Sequence, residues 1–181
     1  MNKLRLSHSL IEAWERGNPD DVVTMYFHLE AKTNKAMEDG RRIHEEIAEH
    51  VDTYNTFPDW FFDKELRLPE TEKEVIVEYN EMFNLKCIID CLDIPLLYEF
   101  KTGGSESLEW ARTNQLPLYF LACEIAKIPV ESAYLIHHNQ HIKKTDFTIV
   151  HNSASLREKA RNVIDSTGPE IYEFFSREGL I

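Results

Sequence analysis

Cysteine and long apolar runs are both scarce in this chain of 181 residues. Its three cysteines cannot build a four-cysteine zinc or iron–sulfur site, and an odd number forms no complete disulfide framework. No apolar stretch approaches the ~20 residues that a helix needs to cross a bilayer. The N-terminal stretch "MNKLRLSHSLIEAWERG" has polar and acidic residues where a secretory signal peptide has its apolar segment. We therefore expect an intracellular, cytoplasmic protein with no membrane partner.

Basic residues are also in deficit, because 20 Lys and Arg face 32 Asp and Glu and leave a formal net charge of −12. A protein that coats nucleic acid usually shows a basic patch, so this charge argues against that class. It does not exclude an enzyme that contacts nucleic acid through divalent cations, since a site that holds such cations must itself be acidic. The apolar content of 43% is that of a globular chain, and we predict one domain over residues 1–181.

The spacing of apolar residues predicts helices that alternate with strands. Helices are predicted at 8–29 with a turn at 16–21, at 35–52, at 106–126 with a kink at Pro117, and at 153–177 in two pieces split at 166–170. Strands are predicted at 74–80, 85–93 and 95–102, and as a hairpin of 131–138 and 141–150 around Asn139 and Gln140. This order indicates an α/β or α+β domain. Gly40 lies inside the second helix at a cost of about 1 kcal/mol relative to alanine, which suggests close approach of another segment.

Two charged residues interrupt the apolar strand "PLLYEFKT". Residues i and i+2 of a strand share a face, so Glu99 and Lys101 point together while Phe100 points to the other side. Burying such an ion pair without a functional role often contributes nothing to stability. A hairpin of 86–93 with 96–101 would bring Asp90 near Glu99, and two neighbouring carboxylates repel unless a cation lies between them.

A divalent metal would resolve this repulsion, because Mg²⁺ prefers carboxylate oxygens. Lys101 would then be a compact positive charge beside the metal, suited to stabilise the charge that develops in phosphoryl transfer. A plain ion pair of Glu99 with Lys101 is the alternative interpretation of the same residues.

These residues resemble the D…(D/E)xK signature of the PD-(D/E)XK nuclease superfamily, with Asp90 as the aspartate and "EFK" at 99–101 as the second element. In "EDGRRIHEEI", His44 is similar to the motif histidine of the RecB-like branch, to which the CRISPR-adaptation exonucleases belong. In "QLPLY", Gln115 and Tyr119 match the QxxxY motif of that branch.

Two further elements support the resemblance. "SHSL" at 7–10 resembles the serine-containing start of these domains, and Glu78 falls where many members have an acidic residue before the aspartate strand. The order and spacing agree from about residue 7 to residue 120.

The resemblance implies an α/β fold with a restriction-endonuclease-like core, a central mixed β-sheet flanked by helices. The core motifs would span 38–120, followed by a C-terminal hairpin and helices at 131–178. The implied Mg²⁺ or Mn²⁺ ligands and catalytic groups are His44, Asp90, Glu99 and the backbone carbonyl of Phe100, with Lys101 as the residue that positions or activates water. Gln115, Tyr119 and Glu78 would orient the site or contact the substrate strand.

The implied activity is metal-dependent hydrolysis of phosphodiester bonds in DNA, as single strands or at ends, in repair or recombination. Exonuclease action is expected by analogy with RecB-type relatives. The chain lacks helicase motifs, so a helicase or recombination partner would act in trans, and an oligomer stays open. Some of these enzymes carry an iron–sulfur cluster on one N-terminal and three C-terminal cysteines. No cysteine occupies those regions, and we expect no cluster.

Three alternatives stay open. The chain could be a catalytically inactive module of the same fold that binds nucleic acid or protein. It could be an acidic interaction protein that mimics DNA, which the net charge of −12 would suit. It could also be a different hydrolase that uses Glu99 for acid–base catalysis. DNA against RNA, single against double strand, and cleavage polarity are not determined by these motifs.

Overall fold

Six strands of the described chain form one mixed sheet, as the computed structural model shows. It describes residues 3–17, 19–27, 35–102, 105–139 and 142–181. The strands are β1 (Leu4–Leu6), β2 (Glu70–Glu78), β3 (Phe83–Asp93), β4 (Leu96–Lys101), β5 (Ser132–Asn139) and β6 (Lys144–His151). Their order is β1-β3-β4-β5-β6, and β2 pairs with β3 beside this path. The β1–β3 and β4–β5 pairs are parallel and the others are antiparallel, which confirms the predicted mixed sheet.

Helices pack on both faces of the sheet. They are α1 (His8–Glu15), α2 (Pro19–Phe27), α3 (Lys35–Tyr54), α4 (Ser105–Trp110), α5 (Leu116–Ile125) and α6 (Ala154–Arg177), with a π-turn at Ala111–Gln115 between α4 and α5. Helices α1, α2, α5 and α6 contribute to a larger core on one face. Helix α3 and the segment 57–66 contribute to a smaller core on the other.

The smaller core is built mainly from aromatic residues. Phe57 contacts both Tyr98 and Phe100 of β4 in edge-to-face geometry, at ring centroid distances of 5.1 and 5.6 Å. Ile47 and Val51 of α3 belong to the same core. Because aromatic pairs in this geometry add about 0.5–1.5 kcal/mol beyond their buried area, they hold the segment 57–66 firmly against β4.

The structure corrects two predictions for the ends of the chain. Strand β1 was not predicted, because three residues are too few to show an alternating pattern. The C-terminal helix is continuous through Pro169 instead of splitting at 166–170. An interior proline costs about 3 kcal/mol or more. A buried stripe in the larger core offsets this cost, and its members are Ala160, Ile164, Gly168, Ile171 and Phe175. The predicted turn residue Gln140 lies outside the described residues.

No helix in the described ranges combines the length and the apolar character that a membrane span requires.

Replacing Gly168 tests how closely α6 packs on the sheet. A Cβ atom there would lie 3.0 Å from the Phe83 ring and 3.2 Å from the Leu6 side chain. We expect Gly168→Val to lower the free energy of unfolding by about 1–3 kcal/mol, because overpacking outweighs the better helix propensity of valine. Urea unfolding measures this, with Asn162→Val on the exposed side of the same helix as the control. Equal midpoints for the two variants would contradict the close packing.

Candidate active site

The candidate site lies where β3 and β4 diverge. Their ladder ends at Cys91 and Tyr98, so Asp90 and Glu99 face each other just beyond the last paired residues. Asp90 Oδ2 instead accepts a hydrogen bond from the Phe100 N–H at 2.6 Å. The side chain thus takes the place of a backbone acceptor and is fixed at the fork.

The regular alternation of β3 also breaks at this point. Ile89 and Leu92, three residues apart, both lie in the larger core, while Cys91 lies in the smaller one. On the neighbouring strand, Glu72 stands opposite Asp90 with a left-handed backbone (φ 48°). This local distortion brings Asp90 to the end of the sheet instead of leaving it on one face.

Glu99 is the centre of a buried hydrogen-bond network. It is 1% exposed, and its Oε1 accepts from Lys101 Nζ and from Gln115 Nε2, each at 2.6 Å. Gln115 Nε2 also lies 2.8 Å from the Tyr119 hydroxyl, which donates to the Ile88 carbonyl at 2.6 Å. The predicted pairing of Glu99 with Lys101 on one face is therefore present, and α5 holds the carboxylate from the side.

A π-turn directs Gln115 toward Glu99. The Leu116 N–H bonds to the Ala111 carbonyl, five residues back, and Pro117 has no N–H with which to continue the regular helical pattern. The kink predicted at Pro117 therefore takes the form of a wider turn just before it. π-turns inside α-helices occur frequently at functional sites.

Helix α3 brings His44 to the same place from the opposite layer. Its Nδ1 lies 3.6 Å from Asp90 Oδ1, and its ring packs edge-on against Phe100 at 5.8 Å. Gly40, one turn earlier, lies so close to β4 that an added Cβ would be 2.7 Å from Thr102 Oγ1. This is the close approach that the glycine suggested.

The charged groups of the cluster shift one another's pKa values. Burial and the nearby Asp90 raise the pKa of Glu99 to about 7, although Lys101 and His44 oppose the shift. Burial disfavours the charged forms of His44 and Lys101, but the neighbouring carboxylates outweigh it and raise both pKa values. The two carboxylates are therefore held together against their mutual repulsion.

Three solved structures described as exonucleases have the same architecture. A candidate exonuclease from Eubacterium rectale aligns over 99% of this chain and 84% of its own, with a TM-score of 0.65 and 13% identity. LHK-Exo of Laribacter hongkongensis in complex with dAMP aligns over 96% and 92%, with a TM-score of 0.56 and 10% identity. A phage-related exonuclease from Haemophilus somnus 129PT aligns over 98% and 97%, with a TM-score of 0.55 and 12% identity.

The alignments cover nearly the whole chain, and the strand fork carries the Asp90…Glu99-Phe100-Lys101 pattern. The chain has the fold of these solved structures. At these identities the likeness is one of fold.

Sequence comparison alone does not reveal this likeness in fold. No protein-family model matches the chain. A clustered mitochondria protein homolog from Candida glabrata is 31% identical over 74 residues, which is 41% of this chain and 5% of that protein. The chain thus corresponds to a small part of that protein, and the match carries no function to it.

The donor set of this nuclease-like fold suits a hard divalent cation. Glu99 Oε2 is buried and has no hydrogen-bond partner, an arrangement that costs free energy unless a ligand satisfies it. Asp90 and Glu99 supply the oxygens that Mg²⁺ and Mn²⁺ prefer, and His44 adds an imidazole. No three His, Cys, Asp or Glu side chains in the described ranges already stand as a formed metal site, so side chains would have to rotate toward the ion.

Two acidic residues of β2 differ from expectation. Glu78 pairs opposite Asn84, six residues along β3 from Asp90 and therefore roughly 20 Å away. It is exposed and forms an ion pair with Lys3 at 2.6 Å, so the structure does not bring it to the cluster. Glu72 lies there instead, where burial and Asp90 raise its pKa and His44 opposes the shift. Its left-handed backbone carries no sequence signal by which it could have been found.

His8 of α1 is a second residue that the motifs did not single out. Burial and Lys101 lower the pKa of His8 to about 3, so its ring is neutral. The ring packs edge-on against Tyr119 at 5.9 Å. His8 thus stands directly behind the Gln115–Tyr119 pair.

The pKa of Glu99 predicts how the metal-free protein responds to pH. It is raised from 4.5 to about 7, so the folded state holds this proton more tightly than the unfolded chain. The resulting stabilisation is complete at a pH below the pKa of Glu99 in the unfolded chain. It is lost as pH rises through the pKa of Glu99 in the folded protein. We expect the unfolding free energy of the wild type in EDTA to fall over this window, and that of Glu99→Gln to fall less steeply.

Urea titrations between pH about 5 and about 8 would measure these slopes. Glu173→Gln on the exposed side of α6 is the control and should keep the slope of the wild type. Parallel slopes for the wild type and Glu99→Gln would mean that the Glu99 proton does not contribute to the pH dependence of the free energy of unfolding.

The close approach of Gly40 to Thr102 leads to a second prediction, which concerns metal binding. Gly40→Ala would push α3 and His44 away from Asp90, because the new Cβ meets Thr102 Oγ1. We expect Mn²⁺ affinity measured by calorimetry to fall about tenfold or more, as when the residues that orient metal ligands are changed. Adding Thr102→Ala removes the clashing oxygen and should restore much of the affinity. A double variant as weak as the single one would show that this contact does not position α3.

Proposed function

We propose that this protein is a metal-dependent nuclease that hydrolyses phosphodiester bonds of DNA. The observation that carries the proposal is the buried Glu99 carboxylate, which faces Asp90 across the strand fork with one oxygen unsatisfied and Lys101 Nζ 2.6 Å from the other. A structural ion pair would require neither the second carboxylate nor the unsatisfied oxygen.

Each residue would have a distinct task. Asp90, Glu99, His44 and the Phe100 carbonyl would hold Mg²⁺ or Mn²⁺. When bound, that ion would act as a Lewis acid on the phosphate and lower the pKa of water. Lys101, held by Glu99, would position the attacking water and stabilise the negative charge that develops on the phosphate oxygens. Its raised pKa keeps it protonated for electrostatic stabilisation.

The helix pair of Gln115 and Tyr119 would position Glu99. Gln115 restrains the carboxylate through Oε1 and leaves Oε2 without a hydrogen-bond partner. Tyr119 fixes the Gln115 amide and, through the Ile88 carbonyl, ties α5 to the strand that carries Asp90. Both residues would therefore act on catalysis by orienting Glu99.

The solved structures with this fold favour action from DNA ends. They are described as exonucleases, and one of them is a complex with dAMP. We propose a DNA exonuclease formed by one domain, without an iron–sulfur cluster, that acts in the cytoplasm and relies on any helicase or recombination partner in trans. We propose single strands or DNA ends as its substrate.

A catalytically inactive binding module is the second candidate. Lys101 already neutralises Glu99, and no formed metal site is present in the described part of the chain, which favours this alternative. It predicts normal folding and binding but no turnover with any metal.

Lys101→Ala separates the two candidates. We expect end-labelled single- and double-stranded DNA to be cut with Mn²⁺ or Mg²⁺ and not with EDTA, and Lys101→Ala to lower the rate by about 10²-fold or more. Loss of the charge that stabilises the transition state is the reason. Gel analysis of the products would also show whether cleavage starts at ends.

Lys144→Ala, an exposed lysine of β6, is the matched control and should cleave like the wild type. Cleavage that survives Lys101→Ala, or that proceeds in EDTA, would contradict the proposed mechanism.

A further inference from the structure

A small recess lies behind the candidate site, between α1, the α4–α5 segment and α6. The recess is shallow, and its empty space of about 310 Å³ includes open solvent. Its walls are mostly apolar, and they include His8, Trp110, Thr113, Asn114 and Lys159. None of the catalytic roles proposed above uses this recess.

Two aromatic rings stand side by side at the recess. The rings of His8 and Trp110 are 5.7 Å apart and tilted by 48°. With its amide oriented to satisfy both neighbours, Asn114 accepts from Trp110 Nε1 at 3.2 Å and donates to the Thr113 carbonyl at 3.1 Å. The indole is therefore held in one orientation, which lowers the entropy lost when a ligand stacks on it.

The same rings connect the recess to the proposed chemistry. His8 contacts Tyr119 at 5.9 Å, and Tyr119 contacts the Gln115 amide that holds Glu99. Only the Tyr119 ring would thus separate a ligand on the Trp110–His8 pair from the Gln115 amide that holds Glu99. Burial lowers the pKa of His8, so its ring brings no charge of its own to the pair.

A cation also lines the recess. Lys159 of α6 is exposed and, within the described ranges, forms no ion pair closer than 4.0 Å. Other exposed cations, such as Arg112 and Arg161, are already paired with glutamates. An aromatic platform with an unpaired lysine beside it is the combination that single-stranded nucleic acid uses, with bases stacked on rings and phosphates near cations.

We propose that Trp110 and His8 form a stacking platform for a nucleobase of the substrate strand close to the cleaved phosphate, with Lys159 contacting the backbone. This inference rests on the proposed function but concerns binding, and it can be tested separately from cleavage. Stacking tolerates all bases, so the platform would support affinity without sequence preference.

The test measures fluorescence anisotropy of labelled single-stranded oligonucleotides in EDTA. One strand is natural and the other carries abasic residues throughout. Trp110→Ala should weaken binding of the natural strand by at least about fivefold, the lower bound for one stacked base. Trp110→Phe should retain most of the affinity. Trp60→Ala, an exposed tryptophan between α3 and β2, should bind like the wild type.

The abasic strand separates stacking from a structural role. It should bind the wild type weakly, and Trp110→Ala should not weaken it further. Lys159→Ala should weaken both strands equally, because its contact is to phosphate. Equal binding of the natural strand by Trp110→Ala and wild type would overturn the platform. So would an equal loss on both strands, or no binding of either strand by the wild type.

Cleavage by the wild type with Mn²⁺ reports on the proposed function independently. Turnover together with unchanged binding by Trp110→Ala would reject the platform and leave the nuclease. Base-dependent binding without turnover would support the platform in a binding module.

Discussion

The repulsion between two carboxylates at the fork of β3 and β4 is the constraint on which the rest of the site depends. Asp90 and Glu99 face each other just beyond the last paired residues, and one of them is buried. Bringing two such groups together costs free energy unless a cation or a proton lies between them. The fold places Lys101 against one carboxylate and His44 against the other, yet leaves Glu99 Oε2 without a partner.

The two layers of the fold each position residues around these carboxylates. The larger core carries α5, from which Gln115 holds Glu99 and Tyr119 binds a carbonyl of β3. The smaller core holds α3 through Ile47 and Val51, and the ring of His44 packs edge-on against Phe100 of β4, close to Asp90. A disturbance in either layer would therefore reach the same pair of carboxylates from opposite sides.

Much of this arrangement could be predicted from local patterns. Alternation along a strand placed Glu99 and Lys101 together, and the pairing of a tight hairpin placed Asp90 opposite. Helical spacing placed Gln115 and Tyr119 on one face, and an interior glycine indicated the close contact of α3 with Thr102. Each of these features follows from residues near one another in the chain or from simple periodicity.

The remaining features depend on distant contacts that no short pattern contains. The break in alternation at Asp90 and the left-handed Glu72 arise from strand pairing over about twenty residues. The continuity of α6 through Pro169 depends on its fit against Phe83 and Leu6, far back in the chain. Glu78 was predicted by its position before the aspartate strand, but the register of β2 carries it to the far end of β3.

A crystal soaked in Mn²⁺ and measured for anomalous scattering tests the central claim most directly. We predict a peak between the carboxylates of Asp90 and Glu99, within reach of His44, with ligand distances of about 2.0–2.2 Å. The same peak should be absent in Asp90→Asn. A fully soaked crystal with no peak at the strand fork, and with Lys101 still bound to Glu99, would contradict the account.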